Sequence, residues 1–333
     1  MSERLPQHRR LAGLESVLAH LAELVGPGGD AAAARSAGPE KPVLLLTGTA
    51  RSGSTVTMWW LARSGAFAVP SNLVSRFWRA PVVGALVERL LLDPALDFRG
   101  ELTIPPDVAV PEPYGTHIGK TRGPGAPHEF WYFWRHFLGF GNPPRLGAEG
   151  QQAADVDGFR GHLGAYEEAM GRPVALKAMI ASWDLPWLAE VLPTALFVDL
   201  NRCPLQTMRS LLSVRERYFG DRSQWYSFRL PHLPGLDDLS PEEQVAVQVR
   251  AMRAAIDQGL ARVAPDRVLR LDHAELCASP ADTWARLRAF VAPHGLTLDA
   301  QHPDAAPLRP GRPVTDPVLE RAWAQSAVWL AER

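Results

Sequence analysis

Residues 42–65 read PVLLLTGTARSGSTVTMWWLARSG and contain the strongest structural signal in the chain. A short apolar run is followed by a Gly/Ser-rich turn and then by a helix-like segment that ends near Gly65. An all-apolar strand is typical of the centre of a parallel sheet that helices cover on both faces. The turn would direct backbone N–H groups and the positive end of the helix dipole toward one point, which suits a phosphate.

The second half of the chain alternates strand and helix patterns. Three apolar runs predict strands: VALKAM (174–179), ALFVDL (195–200) and RVLRL (267–271). Helices are predicted over 187–192 and from starts at Pro204, Ser240, Ser279 and Thr315. Such an alternation predicts an α/β fold with a central parallel sheet and flanking helices.

The segments around this core differ in composition. Apolar residues at helical spacing predict a helix over 7–25, and the Gly/Ala/Pro-rich stretch 26–41 predicts a linker. We therefore expect an N-terminal helix and linker (1–40) and one domain (41–333). Within that domain, residues 66–172 show no clean strand and include the aromatic block FWYFW at 130–134. An excursion of this length predicts an aromatic-rich helical cap over the site.

Composition narrows the class of protein. The 333 residues have a formal net charge of -1, which argues against nucleic-acid or anionic-membrane partners. No apolar run of about 18 residues is present, as a membrane span would require. The two cysteines, Cys203 and Cys277, are far apart and form no metal-type pair, which favours a reducing compartment. We expect a cytoplasmic protein, and the sequence leaves its oligomeric state open.

The loop after the first strand departs from the kinase P-loop at one position. The spacing of Gly48 and Gly53 fits GxxxxGK[ST], but Ser54 stands where that motif has Lys. A kinase would then lack the ammonium that spans the β- and γ-phosphates. Here the nearby cation is Arg51, which precedes the second glycine.

The loop resembles the 5′-phosphosulfate loop of the PAPS-dependent sulfotransferase family, whose core is [KR]SG[ST]T. A second segment, LFVDLNRCPLQTMRSLLSVR, resembles the family's 3′-phosphate element, with Arg202 at a strand end and Ser210 eight residues later. Lys177, in VALKAM, resembles the strand-end lysine that contacts the oxygen bridging phosphate and sulfate. The resemblance covers roughly residues 42–300 and is thin across 66–170.

The resemblance implies a P-loop NTPase-like sulfotransferase fold and a set of site residues. Those for the 5′-phosphate of PAPS are Arg51, Ser52, Gly53, Ser54 and Thr55. Arg202 and Ser210 would select the 3′-phosphate, because a guanidinium fork and a hydroxyl can grip that group. Lys177 would stabilise negative charge on the departing nucleotide, PAP. We expect no metal, since sulfuryl transfer carries less charge than phosphoryl transfer and no carboxylate cluster is evident.

The sequence departs from the family where the catalytic base should be. Many members have His two residues after the strand lysine, and some bacterial relatives have it four residues after; here these positions are Met179 and Ala181. His128 and Glu129, beside the aromatic block, are the candidate bases, with His117 as runner-up. In the tail motif LRPGRP (308–313), Arg309 or Arg312 could cover the 3′-phosphate, but a surface turn is equally compatible.

These observations predict a sulfotransferase that moves a sulfuryl group from PAPS to a hydroxyl of a small organic acceptor. The aromatic side chains of 130–134 could line a pocket for an aromatic or apolar acceptor, although consecutive aromatics on a helix also point into the core. Two alternatives remain open. One is a small-molecule kinase that uses ATP, and the other is a nucleotide-binding relative that has lost catalysis.

Overall fold

The computed structural model describes residues 4–109, 111, 120–141, 145–230, 233–303, 308–309 and 311–332. Four parallel strands form one sheet in the order β2-β1-β3-β4. Their bounds are Val43–Gly48 (β1), Ala175–Lys177 (β2), Ala195–Asn201 (β3) and Val268–Asp272 (β4). The predicted parallel α/β sheet is confirmed, and each strand lies within or beside its predicted range.

Helices flank the sheet on both faces. Those before β2 are Ala12–Ala33 (α1), Ser54–Arg63 (α2), Pro81–Leu92 (α3), Pro106–Ala109 (α4), Trp131–Leu138 (α5), Gly147–Ala153 (α6) and Val156–Met170 (α7). Those after β2 are Leu185–Val191 (α8), Pro204–Phe219 (α9), Pro241–Leu260 (α10), His273–Ala278 (α11), Pro280–Val291 (α12) and Pro317–Ala331 (α13). None of these helices is both long enough and apolar enough to cross a bilayer, within the residues described.

The central strand explains why the site forms where it does. All six residues of β1 are buried, and alternate side chains enter two different core clusters. Val43 and Leu45 pack on one face, whereas Leu44 and Leu46 pack on the other. Burial on both faces is the property of a central parallel strand. Because all four strands are parallel, the turns that follow them meet at one edge of the sheet.

The predicted linker over 26–41 is wrong for its first half, because α1 continues to Ala33 through Pro27. The glycines allow this helix to pack closely on its neighbours. A Cβ at Gly29 would lie 2.5 Å from the Cβ of Ala80, and one at Gly161 would lie 2.7 Å from the Ala33 carbonyl oxygen. Tertiary packing on α3 and α7 thus overrides the poor helix propensity of Gly and Pro.

The segment 66–172 is largely helical, and its described residues hold only isolated strand-type bridges, such as Ser71 with Pro127. This bridge belongs to a short paired region in which the backbone around residue 72 is hydrogen-bonded to residues 124–128. The bonds are Leu73 N–H to Pro124 O (2.9 Å), Asn72 N–H to Ala126 O (2.8 Å) and His128 N–H to Pro70 O (2.8 Å). The pairing holds the chain before α5 beside the sheet edge.

Candidate active site

The loop between β1 and α2 has the backbone of an anion cradle. The amides of Val56 and Thr57 both donate to the Gly53 carbonyl and close the first turn of α2. Within the described chain, the amides of Gly53 and Ser54 donate no hydrogen bond, so the helix start presents unused donors. Arg51 lies in the left-handed region, with a φ of 68°, which is uncommon for a non-glycine residue.

Gly53 is required by its surroundings. Its φ is 100°, and a Cβ there would lie 2.0 Å from Cδ2 of His273, the first residue of α11. His273 is buried, and burial followed by the charge of Arg202 lowers its pKa to about 4. A neutral imidazole therefore packs directly against the loop at neutral pH. The sequence reading missed His273, although its place directly after β4 put it at the same edge of the sheet.

Not every predicted loop residue reaches the cradle with its side chain. Ser52 is fully buried, and its hydroxyl has no hydrogen-bond partner in the part of the chain that the structure describes. Its amide donates to the Thr49 carbonyl within the turn, at 3.1 Å. Ser54 is also buried, whereas Thr55 is partly exposed beside Lys177. Ser52 therefore belongs to the turn through its amide, and its contact with the 5′-phosphate stays a prediction.

Lys177 brings an ammonium to the loop from the neighbouring strand. It ends β2, paired with Leu46 of β1, and its side chain is 3% exposed. Its Nζ donates to Thr55 Oγ1 at 3.1 Å and lies 3.7 Å from a carboxylate oxygen of Glu129. Burial lowers the pKa of Lys177, whereas the Glu129 charge acts to raise it. The cation absent from the loop sequence is therefore supplied across the sheet edge.

Arg202 and Ser210 both meet the loop, through Arg51. The guanidinium of Arg202 donates to the Arg51 carbonyl oxygen at 2.9 Å, and the Arg51 Nε donates to Ser210 Oγ at 3.0 Å. Arg202 thus faces the Gly53 turn. A cavity of about 380 Å³, lined by these three residues together with Arg209 and Arg217, lies beside them. Its several guanidinium groups suit a phosphate.

Part of the tail motif packs beside this smaller cavity. Gln206 of α9 donates to the carbonyl oxygens of Gly311 (3.3 Å) and Arg312 (3.1 Å). A Cβ at Gly311 would lie 2.6 Å from the Arg202 guanidinium, so the tail backbone lies directly against this group. The Arg312 side chain is exposed. The tail therefore contacts the cavity region through its backbone, a contact that the sequence motif only weakly indicated.

A larger cavity, of about 700 Å³, adjoins the smaller one, and Arg51 lines both. Lys177, Glu129 and His128 line it, so the candidate bases lie beside the strand-end lysine. His117, the runner-up base, lies outside the described residues. In the described ranges no group of three or more His, Cys, Asp or Glu side chains forms a metal-type cluster, and metal independence stays a prediction.

The two candidate bases differ in protonation chemistry. The Phe130 amide donates to Nδ1 of His128 at 2.9 Å, which places the proton of the neutral ring on Nε2. Burial lowers the pKa of His128 to about 4. Burial acts to raise the pKa of Glu129, but the charges of Lys177 and Lys120 and the Trp131 indole hold it below its usual value. At neutral pH Glu129 is a carboxylate that can accept a proton, whereas the Nδ1 lone pair of His128 is already engaged.

The aromatic block packs into the core instead of lining the cavity. Phe130, Phe133 and Trp134 are fully buried, and the Tyr132 hydroxyl donates to Glu15 of α1 at 2.7 Å. Trp131 donates its indole N–H to the Glu129 carboxylate. None of the five is among the described residues that line the larger cavity. The expectation of an aromatic pocket built from residues 130–134 is therefore wrong, and Trp131 instead orients the candidate base.

Comparisons with known proteins concern the family and the fold. The profile described as Sulfotransferase family matches residues 42–293, and a comparison with curated proteins gave no match. The solved structure of sulfotransferase STF9 from Mycobacterium avium aligns at a TM-score of 0.54 and 16% identity, over 99% of this chain and 78% of that one. Sulfotransferase STF1 from Mycobacterium tuberculosis H37Rv aligns at a TM-score of 0.48 and 13% identity, over 91% and 75%.

At such identities the structural likeness to STF9 shows the fold alone, which is the predicted sulfotransferase fold. The profile match is the stronger finding, because it extends over more than half of the chain and includes the loop, Lys177, Arg202 and Ser210. This chain belongs to the sulfotransferase family.

Proposed function

We propose that this protein transfers the sulfuryl group of PAPS to a hydroxyl of a small organic acceptor and releases PAP. The supporting observation is that one residue, Arg51, connects two adjacent cavities. Its carbonyl oxygen accepts a hydrogen bond from Arg202, and its side chain donates one to Ser210. The loop and the smaller cavity therefore form a continuous cationic surface. A nucleotide with phosphates at both its 5′ and 3′ ends matches these two anchors.

The 5′ end of the donor would lie at the helix start, against the unused amides of Gly53 and Ser54. The 3′-phosphate would lie in the smaller cavity, which Arg202, Ser210 and Arg209 line. Adenosine 5′-phosphate and ATP lack this group. Selectivity for PAP over both is therefore the property that separates this reading from an ATP-dependent kinase.

Lys177 and Glu129 would divide the chemistry. The acceptor oxygen forms a bond to sulfur while the bond from sulfur to the bridging oxygen breaks, and PAP leaves with that electron pair. The Lys177 ammonium, fixed by Thr55 beside the loop, is placed to stabilise the charge that develops on the leaving oxygen. The Glu129 carboxylate, 3.7 Å from Lys177 Nζ, is placed to take the proton of the acceptor hydroxyl.

The test of the donor is a calorimetric comparison of PAP, adenosine 5′-phosphate and ATP. We expect PAP to bind at least about tenfold more tightly than adenosine 5′-phosphate, a difference of about 1.4 kcal/mol. Ser210→Ala and Arg202→Lys should each reduce this preference, because a hydroxyl or the planar guanidinium fork is lost. Arg262→Gln, at an exposed position remote in sequence from both cavities, is the matched control.

Equal affinity for PAP and adenosine 5′-phosphate, or a Mg²⁺-dependent preference for ATP, would contradict the proposal. Transfer is then measured with sulfur-labelled PAPS across alcohols, phenols and glycosides. Tight PAP binding without transfer to any of them would favour the alternative of a non-catalytic relative. The cytoplasmic location and the absence of nucleic-acid and membrane partners stay predictions.

A further inference from the structure

The larger cavity has more positive charge than the proposed donor machinery uses. Its described lining includes one carboxylate, Glu129, and five cationic side chains: Arg51, Arg76, Lys120, Arg122 and Lys177. Two of these cations are directed to the nucleotide loop region, since Arg51 bonds Ser210 and Lys177 bonds Thr55. The other three are supplied by the cap and have no place in the proposed handling of the donor.

These three cations are held on a common frame. Arg76 lies in the short 3-10 helix 74–77, and the other two lie on the segment 120–128. Besides the backbone pairing of these segments, the Asn72 side chain donates to the Gly123 carbonyl at 2.9 Å and accepts from the Thr121 hydroxyl at 3.2 Å. The Thr121 hydroxyl oxygen also lies 2.8 Å from the Pro127 carbonyl oxygen. The frame fixes the backbone of the two segments that carry these cations.

Arg76, Lys120 and Arg122 present their charges to the cavity. All three are exposed, and in the part of the chain that the structure describes their side chains make no hydrogen bond or salt bridge. Their field reaches the reaction end of the cavity, because the charge of Lys120 helps to lower the pKa of Glu129. Five cations and a single carboxylate leave the described lining with excess positive charge, and an anion bound among Arg76, Lys120 and Arg122 would reduce the repulsion.

We infer that the acceptor is itself an anion: a hydroxy compound whose carboxylate or phosphate binds Arg76, Lys120 and Arg122 while its hydroxyl lies at Glu129 and Lys177. The inference rests on the proposed function. Guanidinium groups bind carboxylate and phosphate oxygens through paired hydrogen bonds, so two arginines and a lysine suit either group. A cavity of about 700 Å³ is large enough for a small molecule that spans both ends.

The experiment compares matched pairs of charged and neutral compounds on the PAP-loaded protein. The pairs are 4-hydroxyphenylacetate with its methyl ester, and glycerol 3-phosphate with glycerol. Binding is measured by ligand-observed NMR titration, so the comparison does not depend on turnover, and sulfate transfer from labelled PAPS is measured in parallel. We expect at least one anion to bind at least tenfold more tightly than its neutral partner, and the better pair distinguishes carboxylate from phosphate.

Arg76→Gln and Arg122→Gln should each reduce this preference at least threefold, with Arg262→Gln as the matched loss of a surface charge. Equal binding of the charged and neutral partners in both pairs would overturn the inference while PAP binding and sulfate transfer still support the proposed function. A tenfold loss of PAP affinity in Arg76→Gln or Arg122→Gln would assign these cations to the donor and would also overturn it. Failure of the wild-type protein to bind PAP would overturn both.

Discussion

The two ends of the site are built in different ways. At the nucleotide end, the functional groups follow the carboxyl ends of parallel strands: the loop after β1, Lys177 at the end of β2, Arg202 after β3 and His273 after β4. At the acceptor end, Arg76 comes from a short 3-10 helix, and Lys120 and Glu129 come from irregular segments of the cap. The first end is constrained by the backbone of the sheet, whereas the second depends on side chains that distant contacts hold in place. Substitutions should therefore have sharper and more separable effects at the first end.

The largest effect on nucleotide affinity should come from Gly53→Ala, which tests whether the backbone geometry of the nucleotide end is indispensable. The new Cβ would lie 2.0 Å from Cδ2 of His273, at a φ of 100°. Either the loop or His273 must move, and we expect PAP affinity to fall by about 100-fold. The measurement is isothermal calorimetry with PAP.

Gly171→Ala is the matched control for this change. Gly171 also has a positive φ, 67°, but a Cβ there meets nothing within 4 Å. It should lower the free energy of unfolding by about 1 kcal/mol and leave PAP affinity unchanged. Near-normal PAP binding by Gly53→Ala would show that the loop adapts, and the contrast between the two ends would be lost.

Lys177→Met should have the largest effect on catalysis and little effect on nucleotide affinity. Removing one group that stabilises transition-state charge costs about 100- to 1000-fold in kcat. The affinity for PAP, which has no sulfate, should change by less than about fivefold, because the amides and Arg202 remain. Steady-state kinetics and calorimetry measure the two quantities, and Lys41→Met, at an exposed residue before β1, is the control. A kcat within tenfold of wild type would remove Lys177 from the mechanism.

Glu129→Gln and His128→Gln test the acceptor end. We expect Glu129→Gln to lower kcat by about 100-fold and His128→Gln to have a smaller effect, because the His128 Nδ1 already accepts from a backbone amide. The reverse order would make His128 the base. Both are measured by steady-state kinetics after a check that thermal unfolding is unchanged.

The pH profile sharpens this test. The pKa of Glu129 is held below its usual value, so the carboxylate is deprotonated at neutral pH and loses its basic form only as the pH falls through that lowered pKa. The profile of kcat/KM should thus have no acidic inflection between about pH 6 and 8, where an ordinary His base would give one. A profile without this inflection would exclude a histidine of ordinary pKa as the base. It would not exclude His128, because burial lowers the pKa of His128 to about 4, so the variants are needed to separate the two residues.

The smallest effect should come from Ser52→Ala, at the nucleotide end itself. The Ser52 hydroxyl is buried and has no partner within the described residues, so its removal takes away a desolvated polar group. We expect PAP affinity to stay within threefold and the free energy of unfolding to be unchanged or higher by up to about 1 kcal/mol. A tenfold loss of PAP affinity would mean that the loop rearranges and that Ser52 contacts the nucleotide after all.

The sequence alone determined the parallel sheet, the strand–loop–helix unit at 43–63 and the positions of Lys177 and Arg202 at strand ends. These features depend on local patterns, since apolar runs and glycines in a short loop imply their own geometry. In a parallel sheet the carboxyl ends of the strands meet, so residues far apart in sequence can be assigned to one edge without knowledge of the rest of the fold.

Only the tertiary structure decided the length of α1, the burial of the aromatic block, the contact of His273 with Gly53 and the difference between His128 and Glu129. Each depends on which side chain a distant segment presents: Ala80 beside Gly29, Trp131 and Lys177 around Glu129, and the amide of Phe130 on His128. The cationic frame of the cap belongs to the same group. No residue spacing encodes it, because its charges are brought together by backbone pairing between irregular segments about 50 residues apart.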